Sequence, residues 1–247
     1  MPIVEVAADE IVVDEQEVGP RDATRFRATG ARANFLAQDR PDMQYAAKEI
    51  YREMSKPKES SQEKLKRLAR YLLEFPRLVW EYREWTIQPD NFKVFGDSDW
   101  AGCVRTRKST SGGVVTLGDV AIKSWSSTQS TPALSSGEAE YYSLVKSAAE
   151  ALGVQALALD LGWSFGLDLF VDATAAQGIA ARTGLGRVRH METRVLWVQQ
   201  ALREGKFRIR RVDGKKNPSD ILTKPLSAEF MRPLLMLIGG AFGEEGT

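Results

Sequence analysis

Residues 94–113 read VFGDSDWAGCVRTRKSTSGG. A short apolar run ends in two aspartates, Asp97 and Asp99, followed by Trp100, Gly102 and a basic segment rich in hydroxyls. If the run is a strand that continues through them, their i, i+2 spacing puts both carboxylates on one face. Taken alone, the pair reads equally as turn residues at a strand end or as ligands of a metal ion. The choice depends on whether the rest of the chain supplies partner carboxylates.

Working outward from this stretch, NFKVFG, GGVVTLG and VAIKSWSS are β-rich runs separated by Gly and Asp. They predict a meander of three strands. SSGEAEYYSLVKSAAEALGVQALALDLG is helical, LDLFVD a strand and ATAAQGIAAR a helix. RHMETRVLWVQQALREG is a helix closed by Gly205, KFRIRRV a strand, and NPSDILTKPL opens a last short helix. Upstream, RDATRFRATGARANFLAQ and PDMQYAAKEIYREMSK read as helices, the second opened by Pro41. SSQEKLKRLARYLLEF is the clearest helix, with Leu65, Leu68, Ala69, Leu72 and Leu73 on one face. Ser60 and Glu63 have the spacing of a capping box at its start. Its cations, Lys64, Lys66, Arg67 and Arg70, are expected on a solvated surface.

A meander followed by alternating units predicts an α/β fold, a mixed sheet covered by helices. The expected organisation is an acidic lead-in over 1–20, a helical segment over 21–85, an α/β unit over 90–226 and a tail over 227–247. Composition bounds the rest. With 34 basic against 33 acidic residues, the formal charge is +1, so any basic surface is local. The one cysteine, Cys103, excludes an internal disulfide framework and fits a reducing compartment. No apolar run reaches membrane-span length, and the start is acidic rather than that of a secretory signal. A nuclear or cytoplasmic protein without a membrane partner is expected.

Three further carboxylates stand at element ends. Asp172 closes the strand LDLFV, Glu140 lies early in the helix after SSGEAEYY, and Asp220 sits in the turn after Asn217-Pro218. Each has a plain structural reading: an N-cap for Asp172, an exposed helix carboxylate for Glu140, a helix-dipole partner for Asp220. Glu138 and Glu140 differ by about 200° around a helix, so both cannot enter one site. Ser135 to Glu138 is a capping-box spacing, which gives Glu138 a structural task and leaves Glu140 free.

Several separate motifs then occur in one order: DSDWAGCVRTRKSTSGG, SWSSTQSTPALSSGEAEYYSL, FVDATAAQGIA, and RVRHMETRVLWVQQALREGKFRIRRVDGKKNPSDILTKPL. From about Phe92 to Leu226 the chain resembles the ribonuclease H domain of copia-type retrotransposon polyproteins. The stretch RFRATGARANFLAQ to RYLLE resembles the segment that connects reverse transcriptase to it, a thumb-like remnant. The resemblance implies a ribonuclease H-like mixed five-stranded sheet flanked by helices. It implies an endonuclease that hydrolyses the RNA strand of RNA–DNA hybrids. The family's catalytic and metal-binding carboxylates fall on Asp97, Glu140, Asp172 and Asp220, which by this resemblance hold two Mg²⁺ ions, with Mn²⁺ as the substitute. Asp99 is then a neighbour supporting the loop. An RNA–DNA hybrid and the upstream reverse transcriptase of a polyprotein are the implied partners.

The chain departs from the family at Ala173, where an asparagine usually follows the aspartate. The loop DGKKNPSD lacks the histidine found in many ribonucleases H, which leaves Lys215 or Lys216 to meet phosphate. RVRH carries Arg187, Arg189 and the only histidine, His190, with arginine where the family has lysine. These three are expected in backbone contacts or packing. Arg105, Lys108, Ser109, Thr110 and Ser135 complete the expected nucleic-acid contacts. The competing reading is a domesticated, inactive module that keeps the fold and binds nucleic acid. A polymerase is disfavoured, because no YxDD-type paired-aspartate hairpin occurs.

Overall fold

The computed structural model describes residues 16–82, 84–85, 87–184, 191 and 193–243. Three helices open it: α1 (Pro20–Leu36), α2 (Pro41–Tyr51) and α3 (Glu59–Glu74). Pro41 occupies the first turn of α2, as its missing N–H and fixed φ favour. The expected Ser60–Glu63 box does not form at the start of α3. The helix begins earlier, at Glu59, and the buried Ser61 hydroxyl accepts from the Lys58 N–H at 2.9 Å. Glu63 instead pairs with Lys66 on the surface.

A short strand, β1 (Leu78–Trp80), precedes the meander β2 (Asn91–Asp99), β3 (Thr110–Leu117) and β4 (Val120–Thr128). Gly118, at φ +62°, turns β3 into β4. Then follow α4 (Ser136–Asp160), β5 (Gly166–Val171), α5 (Thr174–Ala181), α6 (Trp197–Arg203) and β6 (Arg208–Arg211). The chain closes with 3-10 turns at Gly214–Lys216 and Pro218–Leu222, then α7 (Ala228–Met236) and β7 (Gly240–Phe242).

Five strands form one mixed sheet in the order β4-β3-β2-β5-β6. β2 pairs antiparallel with β3 and parallel with β5, and β6 is parallel to β5. Each parallel step needs a crossover, supplied by α4 and then by α5 and α6. This is the ribonuclease H-like arrangement that the resemblance implied. Alternation along β2 divides its side chains between two cores. Phe92 and Val94 join α4, α5 and α6 on one face, while Phe95 packs with α1, α2, α3 and α7 on the other. Two glycines permit close approach at the strand ends. A Cβ on Gly96 would lie 2.6 Å from the Ser147 hydroxyl of α4, and one on Gly112 would lie 2.7 Å from Leu222 and Thr223.

The helix expected over 189–205 is shorter. Among the described residues it comprises a 3-10 turn at Thr193–Val195 and α6. The helix expected at NPSDILTKPL is the 3-10 turn Pro218–Leu222, because Pro225 follows too soon for α-helical bonding to extend. The segment over 227–247, expected as a tail, contains α7, whose Met231, Leu234 and Leu235 are buried, and β7, which pairs antiparallel with β1. Among the described residues no helix is long and apolar enough to cross a membrane.

Candidate metal centre

The parallel register of β2 and β5 runs to the couple Phe95 and Phe170. Two residues further on stand Asp97, still within β2, and Asp172, just past the end of β5. Glu140 comes from the second turn of α4, which lies against the end of β2. Its placement is fixed from two sides: the Ser143 hydroxyl donates to the Asp97 carbonyl at 2.6 Å, and the Ser98 hydroxyl donates to Glu140 Oε1 at 3.0 Å. One carboxylate oxygen each from Asp97, Glu140 and Asp172 lies within 4.8 Å of the other two.

The structural alternatives for these residues fare unequally. The N-cap of α5 is Ala173, which has no side chain to cap, so Asp172 does not serve as one. Glu138 does serve the start of α4. Its N–H donates to the Ser135 hydroxyl at 3.2 Å, and its carboxylate accepts from the Leu134 N–H at 3.0 Å and the Tyr142 hydroxyl at 2.9 Å. That is a capping box shifted by one residue. Asp99 accepts from the Thr110 N–H and so ties the two ends of the 100–109 loop.

Asp220, in the 3-10 turn Pro218–Leu222, lies beside Asp97 rather than within the group of three. Lys224 joins them, with Nζ 2.9 Å from Asp220 Oδ1 and 3.4 Å from Asp97 Oδ2. The Thr223 hydroxyl donates to Asp97 Oδ2. Asn217 anchors the turn, donating from Nδ2 to the Gly96 carbonyl at 3.1 Å and accepting from the Ser219 N–H.

Crowding and burial shape the charges. Asp97 is 2% exposed, and burial pushes its pKa up to about 7. Lys224 and the Thr223 hydroxyl oppose that rise, and Asp220 adds to it. Burial also raises Glu140, to about 8, with the charges of Asp97 and Asp172 adding to the rise. Asp99 is raised to about 6, again by burial first. Carboxylates held this close resist ionising together unless a cation joins them. The donors are all hard oxygens, and Asp172 Oδ1 is buried with no hydrogen-bond partner among the described residues. The group therefore fits a hard divalent cation.

The expected nucleic-acid contacts divide. Arg105, Lys215 and Lys216 are exposed and Lys108 is half-buried. Ser135 is exposed, but its hydroxyl caps α4. Ser109 and Thr110 are buried and internally engaged: Ser109 accepts from the Ala101 N–H, and Thr110 accepts from Lys48 Nζ at 2.7 Å. Neither hydroxyl faces outward. Arg187, Arg189 and His190 lie outside the described residues. Reasoning from the sequence assigned no role to Ser98, Ser143, Asn217, Thr223 or Lys224. The only signal for the last two was their place in ILTKPL, next to Asp220.

No protein-family model matches the chain. It is 29% identical over 223 residues to the retrovirus-related Pol polyprotein from transposon RE1 of Arabidopsis thaliana, covering 88% of this chain and 15% of that protein. It is 25% identical over 199 residues to the corresponding polyprotein of transposon TNT 1-94 from Nicotiana tabacum, covering 80% of this chain and 15% of that protein. The chain is a homologue of copia-type, retrovirus-related Pol polyproteins. It spans about a seventh of the length of these relatives. A solved structure, the N-terminal RNase H domain of Rv2228c from Mycobacterium tuberculosis, matches at 17% identity and a TM-score of 0.37, covering 58% of this chain and 95% of that one.

Proposed function

We propose that the module is a metal-dependent endonuclease that hydrolyses the RNA strand of RNA–DNA hybrids. The observation that supports it most is the convergence of Asp97, Glu140 and Asp172 within 4.8 Å, one from each of two adjacent parallel strands and one from the crossover helix. These three, with Asp220 beside them, would hold Mg²⁺ or Mn²⁺. Bound cations would supply an activated water and charge neutralisation at the phosphodiester.

The remaining work belongs to the chain itself. Thr223 fixes the rotamer of Asp97 by its hydrogen bond, and Ser98 does the same for Glu140. Such contacts behind a ligand hold it in position. Arg105, Lys108, Lys215 and Lys216 would bind backbone phosphates, which orients a duplex without reading its sequence. Choice of RNA over DNA would rest on contacts to the 2′-hydroxyl in the shallow minor groove. The proposed division is a connection segment over 21–85 and a ribonuclease H-like unit over 90–226, acting beside a reverse transcriptase in the parent polyprotein.

Incubation of a labelled hybrid with and without Mg²⁺ tests the reading. Cleavage of the RNA strand that stops in chelator is expected. Binding of the hybrid without cleavage in either condition would instead favour an inactive module of the same fold.

A further inference from the structure

Lys224 has a place that the proposed hydrolysis does not require. Its ammonium sits between two of the proposed metal ligands, 2.9 Å from Asp220 Oδ1 and 3.4 Å from Asp97 Oδ2. The Asp97 side chain is 3% exposed and that of Lys224 is 41% exposed. The lysine therefore reaches in from solvent to a carboxylate that solvent hardly touches. Its backbone is fixed, since the Lys224 N–H bonds the Asp220 carbonyl at 3.1 Å and Pro225 follows. Only the four-carbon stem can move, and its exposed flank leaves room to do so.

We propose that Lys224 is a built-in counter-cation. It neutralises Asp97 and Asp220 while no divalent ion is bound, and it must withdraw from Asp97 when one binds. This rests on the metal-site reading above and adds to it. Asp97 Oδ2 already accepts from Thr223 and faces the ammonium, so a divalent ion on the Asp97 carboxylate competes with the ammonium for the same negative charge. Two positive charges on one carboxylate repel, and the mobile one leaves. Lys224 thus lowers the affinity for the ion while preserving the fold of the ion-free protein. It is a positioning residue, acting through Asp97 and Asp220.

The test is a titration of the ion-free protein with Mn²⁺, with free Mn²⁺ counted by its electron paramagnetic resonance signal. Wild type, Lys224→Met, Lys224→Arg and Asp97→Asn are compared, with Lys224→Gln in reserve should the methionine variant fail to fold. Lys224→Met is expected to bind Mn²⁺ up to about fivefold tighter, the change that loss of a partly exposed ion pair of ordinary strength represents. Lys224→Arg keeps the charge and should stay near wild type. In chelator Lys224→Met should melt below wild type, and saturating Mn²⁺ should close that gap. Unchanged or weaker binding by Lys224→Met, with Asp97→Asn still losing the ion, overturns the role of the lysine alone. Binding by Asp97→Asn equal to wild type overturns the metal site itself and the lysine proposal with it.

Discussion

At the scale of single residues, Asp97 is where burial and charge conflict most. Its pKa of about 7 lies well above the ordinary carboxylate value near 4. Between those values the folded, ion-free protein binds more protons than the unfolded chain does. The contribution of Asp97 to stability is therefore greatest below about pH 4 and falls as pH rises through about 7, and Glu140, raised to about 8, extends the fall. In chelator the melting temperature of wild type should drop by several degrees between pH 5 and pH 8. Asp97→Asn carries no such proton and should show a shallower drop. The same substitution should reduce hydrolysis by more than the roughly 100-fold typical of removing a group behind a metal ligand. Equal pH slopes in the two proteins would show that Asp97 is not strained in the ion-free fold. The four carboxylates were legible through the family resemblance, since taken alone each also had a plain structural reading. Thr223 and Lys224 were not, because their contact with Asp97 spans some 126 positions and depends on how the 3-10 turn at Pro218–Leu222 docks on β2.

At the scale of elements, α4 decides which of two glutamates joins the acidic group. Glu138 is bonded at the helix start to Leu134 and Tyr142, and Glu140 faces the group of acids. Glu138→Gln retains an acceptor for the Leu134 N–H and should keep activity within a few-fold, whereas Glu140→Gln should lose it as severely as Asp97→Asn. Steady-state cleavage rates measured side by side check this, and equal losses would mean that the phase of the helix has been misassigned. The long periodic elements, α3, α4 and the β2–β4 meander, were readable because hydrophobic period and turn residues agree there. β1 and β7 were not. Each has three residues, too few for a period to emerge, and each depends on a partner about 160 positions away. The capping box at α3 failed for a local reason: Ser61, one position beyond Ser60, is the serine whose hydroxyl bonds the Lys58 N–H.

At the scale of the whole molecule, the helices that precede the sheet share its second core. Met43 and Ile50 of α2 are buried in the same cluster as Val114 of β3, Ile221, Leu222, and Leu235 of α7. Polar ties reinforce the contact: Gln44 Nε2 donates to Ser124 at 2.8 Å and Lys48 to Thr110. Unfolding should therefore be a single transition. Ile50→Ala is expected to cost about 2–5 kcal/mol, which for a chain of this size lowers the melting temperature of helices and sheet together by on the order of 10 °C. Two separate transitions in calorimetry, with only the first shifted, would show that the helical segment folds apart from the sheet. With a near-zero net charge, the proposed hybrid binding would rest on the local cations Arg105, Lys108, Lys215 and Lys216. The most direct measurement offers the protein four labelled substrates in Mg²⁺: RNA–DNA, RNA–RNA and DNA–DNA duplexes, and single-stranded RNA. Cleavage confined to the RNA strand of the RNA–DNA hybrid and abolished in Asp97→Asn is the expected result, and degradation of single-stranded RNA as fast as the hybrid would contradict it.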